Sequence, residues 1–481
     1  MVAFTHEFPT KGCLCESVSP ISAPPVKPWQ PVMKVPRAAK ALTTPGREGS
    51  LHPMATFSFP QIATVTQRFD PQRVENIEST LLAGFQQKRE LLEGTCGRRV
   101  AVCVGSRGIA QLSDIVRGLV EELKRAGADP FIVPAMGSHG GGTVEGQTQI
   151  LSDYGITESN VGAPLIASMD VVEISPTVDG VPVHVDRAAF ESDGIILVNR
   201  VKPHTDFKGK AESGLMKQAA VGLGNIHGAT HLHRFTHSLG YERLIITRAR
   251  SIIASGKVLM GLAIIENAYH QPAHLELIPS AEIVEREQQL LLRAKDLMPS
   301  LPASQIDLLI IDRIGKNISG TGLDPNVTGR WFGFNSLWQD TPDVHRIAVL
   351  DLSPETHGNA VGIGLADFCT QRLVDKIDKD VTYLNALTAH FTVPGRIPIH
   401  FSTDRETIRQ ALLSVGGRSR SEDKRVIRIR DTLSLSTLEA SESMMEELRD
   451  HPSIVQIGDL RPLTFDGDGV LAEMGSGVAR S

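Results

Sequence analysis

Between Val198 and His233 the chain reads VNRVKPHTDFKGKAESGLMKQAAVGLGNIHGATHLH, which sets His204, His227, His231 and His233 among Lys202, Lys208, Lys210 and Lys217. Imidazole titrates nearest to neutrality of all side chains, so this grouping suits proton transfer, metal ligation or covalent attachment of a cofactor. In a helix His227 and His231 share a face, and in a strand His231 and His233 do, so either conformation presents a pair of metal ligands. Lys217 follows Glu212-Ser-Gly-Leu-Met216 on an expected helix. Lys208 and Lys210 read as solvated lysines or as carboxylate binders at a rim.

Such side chains need elements to carry them. Arg99-Val-Ala-Val-Cys-Val104 reads as a buried strand, and Ser113 or Asp114 is expected to cap a helix with Ile115, Leu119 and Leu123 on one face. Gly127 closes that helix before a strand at Pro130–Pro134. The βαβ unit implies parallel strands, whose carboxyl ends deliver Gly105-Ser-Arg107 and Met136-Gly-Ser-His-Gly-Gly-Gly142 to one rim. A third strand, Asp193–Asn199, runs into Arg200-Val-Lys-Pro-His204, so Arg107, His139 and His204 are expected to converge on one crevice.

An amphipathic helix over Ser280–Leu297 ends in Met298-Pro-Ser-Leu-Pro302, which reads as a connection between domains. Two further strands, Ile306–Asp312 and Ile347–Leu352, open a second region. Its loop Gly315-Lys-Asn-Ile-Ser-Gly-Thr-Gly322 offers Lys316 and Asn317 to a carboxylate or phosphate. The fold expected is α/β, with two α/β domains, mainly parallel sheets and an active-site cleft between them. The domains expected are 54–300, bearing the histidines and Lys217, and 301–481, ending in a glycine-rich tail. Residues 1–53 carry nine prolines and no hydrophobic periodicity, and are expected to be a disordered extension upstream of a start at Met54.

Composition excludes several partners. The net charge of -6 provides no basic field for phosphate backbones, and only 5% of residues are aromatic, so stacking platforms are scarce and nucleic acid is not an expected partner. Five scattered cysteines without a C-x-x-C pair fit a reducing, cytoplasmic setting. Apolar runs such as Val258–Ile265 are too short to cross a bilayer, so no membrane is expected. Homo-oligomerisation is left open. The chain has no G-x-x-x-x-G-K-[ST], no H-E-x-x-H and no G-x-S-x-G, and Gly222-x-Gly224 lacks the third glycine of a dinucleotide fingerprint.

The succession Gly105-Ser-Arg107, Gly137-Ser-His139-Gly, Val201-Lys-Pro-His204, Gly214-Leu-Met-Lys217 and His233 resembles the nickel-dependent lactate racemase family. Gly315 to Arg330 looks like the signature of an uncharacterised branch of it. The resemblance implies a racemase or epimerase of a 2-hydroxy acid that works by hydride abstraction and return on a nickel-pincer nucleotide. By position, Lys217 matches the lysine that carries this cofactor through a thioamide, and His233 matches the nickel ligand. His139 and His204 match the two catalytic bases, Arg107 the clamp on the substrate carboxylate, and Lys316 a further substrate-binding lysine. Two bases on opposite sides of one carbon are what a reversible inversion requires.

Two departures stand out. His204 and Lys217 lie thirteen residues apart where the racemases have ten, which keeps Lys208 and Lys210 as alternatives for the cofactor lysine. Val104 also stands where an acidic residue is usual. The competing readings are a non-racemising protein or other enzyme for a carboxylated or phosphorylated metabolite, and a zinc hydrolase using His227, His231 and His233.

Overall fold

In a computed structural model the described residues are 57–475, apart from 107, 332–340, 418–419 and the side chain of residue 237. The expected extension 1–53, the end of the tail and Arg107 therefore lie outside the described residues. Arg99–Val104 forms a strand flanked on both sides by parallel neighbours, Asp129–Pro134 and Gly194–Arg200. Val100 to Val104 are buried on both faces, which is why the run is apolar without alternation. Val258–Glu266 extends the sheet in parallel and Pro272–Pro279 closes it antiparallel, giving five strands.

Helix Leu112–Arg125 buries Ile115, Leu119 and Leu123 as its sequence requires. The expected cap at Ser113 or Asp114 does not form. Gln111, with φ 53, precedes the helix, and Asp114 lies within the first turn, 2.6 Å from Arg117. Leu112 is buried in the core beneath the helix, and seating it there starts the helix ahead of both candidate caps.

A second sheet has nine strands among the described residues. Ile399–Phe401, Phe368–Thr370, Asp343–Val349, Gln305–Ile311 and Val426–Ile429 run parallel in that order. Thr437–Ser441, Gln61–Gln67 and Ile454–Ile457 continue it antiparallel. Gln61–Gln67 is the first strand of the described chain yet pairs only with late strands, these two and the ninth, Arg461–Pro462, burying Ile62, Ala63 and Val65. The fold is thus α/β with large, mainly parallel sheets. The expected helix Ser280–Leu297 appears as the tight turn Ser280–Glu282 followed by Ile283–Asp296. Among the described residues no helix is long and apolar enough to cross a membrane.

Candidate active site

Loops that follow the carboxyl ends of strands in both sheets line one cavity of about 1190 Å³. Ser106, His139, His204 and Lys217 come to it from the five-stranded sheet and its helices, and Lys316 and Asn317 from the loop after Gln305–Ile311. His233 also lines it, from helix Asn225–Leu239. Of the residues singled out by sequence, the structure brings together His139, His204, Lys217, His233, Lys316 and Asn317.

His139 follows the strand Asp129–Pro134 and precedes Gly140–Gly142, whose φ values of 64, 68 and 67 explain the glycine run. Gln147 ties the loop down by donating to the Gly137 carbonyl at 2.9 Å. The His139 Nδ1 is hydrogen-bonded to the Ser106 hydroxyl, which fixes the orientation of the ring.

The ring of His204 stacks on Phe207 at 4.4 Å, and Phe207 stacks on Tyr241 at 4.9 Å. Asp206 N–H donates to His204 Nδ1 at 3.0 Å, so a neutral ring carries its proton on Nε2. That nitrogen lies 2.5 Å from Lys217 Nζ. Lys217 and His204 are thus hydrogen-bonded side by side in the wall of the cavity.

Helix Leu215–Ala220 carries Lys217, and Glu287 of helix Ile283–Asp296 reaches beneath its start. The Glu287 carboxylate accepts from Met216 N–H at 2.9 Å, and Gly214 leaves the room, since a Cβ there would fall 2.6 Å from Glu287 Cδ. Burial pushes the Glu287 carboxyl up to about 7, against the backbone N–H groups of Met216 and Leu215. A raised carboxyl favours folding fully below the ordinary value of 4.5, and that share is lost as pH climbs through about 7. The thermal midpoint is therefore expected to fall across this window more steeply in the native chain than in Glu287→Gln. Parallel melting profiles would refute the assignment.

Burial holds the His233 imidazole down to about 4, helped by the nearby charges of Lys217 and His390. It is neutral at neutral pH and so has a lone pair for a metal. Tyr241 OH lies 3.3 Å from its Nδ1, and burial pushes that phenol up. His227 and His231 lie on the same helix but outside the cavity, and the His231 ring faces His184 at 4.7 Å. Among the described residues no three His, Cys, Asp or Glu side chains gather closely enough to hold a metal on their own, which removes the ligand set of the zinc hydrolase reading.

Lys316 Nζ donates to the Gly320 carbonyl at 2.5 Å, and Asn317 Oδ1 accepts from Ser353 Oγ at 2.6 Å. Gly362, with φ 110, packs under this loop, where a Cβ would lie 1.5 Å from the Thr321 carbonyl oxygen. Gly362→Ala is expected to cost roughly 3 kcal/mol or more in urea unfolding. A loss under about 1 kcal/mol would mean that the loop yields freely. Sequence reasoning passed over Ser106, Phe207, Tyr241 and Glu287 as site residues. Ser106 stood inside a quoted motif, whereas the other three carried no local signal.

The sequence model of the lactate racemase N-terminal domain matches residues 66–239, the stretch that supplies His139, His204, Lys217 and His233. Over that stretch the chain is similar to lactate racemases. No curated protein matches it. Among solved structures it is similar to the lactate racemase apoprotein from Thermoanaerobacterium thermosaccharolyticum, over 78% of this chain and 99% of that chain, at 12% identity and a TM-score of 0.46. Lys316 and Asn317 lie beyond the matched domain, so their place in the cavity comes from the fold alone.

Proposed function

We propose that this protein is a racemase or epimerase of a 2-hydroxy acid that uses a lysine-tethered nickel-pincer nucleotide. The observation that carries the reading is the shared cavity, in which Lys217, a neutral imidazole at His233 and two further imidazoles occur together. The donor set fits the cofactor: Lys217 would hold it covalently and His233 would supply a nitrogen ligand. When bound, the group supplies the hydride acceptor that protein side chains lack.

The chain's own residues do the rest. One of His139 and His204 takes the proton of the substrate hydroxyl, and the other returns a proton on the opposite side. His139 is oriented for this by Ser106, and His204 by Asp206 and Phe207. Lys316 provides a cation for the substrate carboxylate, and Arg107 is proposed as its bidentate clamp. Asn317 holds the loop that carries Lys316. The same reading makes a small carboxylated metabolite the partner and the cytoplasm the setting.

The test is to produce the chain together with the enzymes that build the cofactor, then follow single enantiomers of 2-hydroxy acids by chiral chromatography. Inversion of at least one acid is expected. A nickel-loaded protein that inverts none of a broad panel would falsify the proposal. Metabolite binding that survives loss of both His139 and His204 would favour a non-racemising binder.

A further inference from the structure

The signature Gly315 to Arg330 runs well past Lys316 and Asn317, and its second half has no task in the chemistry above. Asp324 caps the short helix Pro325–Thr328, its Oδ1 accepting from Asn326 N at 2.9 Å and from Asn326 Nδ2 at 2.7 Å. Asp324 N–H in turn donates to Thr432 Oγ1 at 3.1 Å. These bonds set the direction of the Asn326 amide. Its Nδ2 also donates to the His204 carbonyl at 3.1 Å, and its Oδ1 accepts from Lys208 Nζ.

The other backbone group of His204 is held as firmly. Glu212 Oε2 accepts His204 N–H at 2.8 Å, while its Oε1 accepts from Gly209 N at 3.2 Å and Lys295 Nζ at 2.7 Å. Both peptide groups of the histidine are thus tied to side chains, in a loop stretch with no helix or strand to hold it. The network also fixes which end of the Asn326 amide is which, because oxygen meets an ammonium and nitrogen meets a carbonyl and a carboxylate. Asp324 lines the cavity and Asn326 does not, so Asn326 lies out of reach of a substrate.

We infer that Asn326 is a positioning residue: its amide latches the His204 loop to the Lys316 loop, so that the proposed base, Lys217 and the carboxylate site keep one mutual geometry. The inference rests on the racemase reading for its effect on turnover. A proton-transfer group displaced by about 1 Å loses roughly a hundredfold in rate, so a latch remote from the substrate is visible in kcat. KM has no reason to move with it.

The experiment uses the full chain with Asn326→Ala and Asn326→Asp. The second variant is nearly isosteric and keeps the acceptor for Lys208, but it loses both side-chain N–H donors and sets a carboxylate beside Asp324. Hydrogen exchange of peptide 203–212 is expected to speed up about tenfold in both, as for loss of one buried hydrogen bond, with strand Gly194–Arg200 unchanged. In the cofactor-loaded enzyme kcat is expected to fall on the order of ten- to a hundredfold, with KM within about threefold. Unaltered exchange in 203–212 overturns the inference, as does a KM that rises in step with the loss of kcat. If Asn326→Ala does not fold, Asn326→Asp alone decides by the same measures. If the native enzyme shows no turnover at all, accelerated exchange still supports the latch, and only the racemase reading fails.

Discussion

Lys217→Ala is expected to abolish the covalent cofactor adduct completely, read as a single unmodified mass for the intact protein after production with the cofactor-building enzymes. Three lysines compete for this role in the sequence, and their surroundings in the structure differ. Lys217 lines the cavity, and its Nζ meets His204 Nε2. Lys208 is turned aside to Asn326 Oδ1, and it does not line the cavity. Lys210 is absent from the cavity lining, and its backbone N–H is bound by Glu242 at 2.7 Å. Lys208→Ala and Lys210→Ala are accordingly expected to keep the adduct. Its persistence in Lys217→Ala, or its loss in Lys208→Ala, would move the attachment point and with it the proposed site.

The second large effect concerns the two bases. His139→Ala and His204→Ala are each expected to lower kcat by about a thousandfold, within the range that positioned acid and base groups contribute. Each transfer is needed once per inversion in either direction, so the double variant is expected to fall little below the weaker single variant. Simple multiplication of the two losses would show that the histidines act independently. The single variants separate in another way: His204→Ala also removes the contact to Lys217 and is expected to slow adduct formation, whereas His139→Ala, bonded to Ser106, is not. Rates of racemisation and of mass gain measured on the same preparations decide both points.

Much of the scaffold was legible in the chain. Continuous apolar runs at Arg99–Val104, Asp129–Pro134, Gly194–Arg200 and Gln305–Ile311 are strands covered on both faces, and loops rich in glycine and polar residues follow each. The competing ligand pairs of the histidine run were not separable there. Only the helical state of Asn225–Leu239, packed beside strand Val183–Asp186, puts His227 and His231 away from the cavity and His233 into it. The missed cap of Leu112–Arg125 has a similar origin, since core burial of Leu112 outweighed a local capping preference.

What the amino-acid order determined by itself is the set of parallel strands and the reactive loops at their ends, because continuous apolar runs, a helical period of about 3.6 residues and glycine-rich breaks are all relations between near neighbours. What tertiary structure alone decided is the pairing of those groups. Ser106 meets His139 across 33 residues, Asn326 meets His204 across 122, and Glu287 meets Met216 across 71. No local pattern encodes such contacts, since each depends on how two separately formed elements pack, and that packing sets the partner each side chain meets.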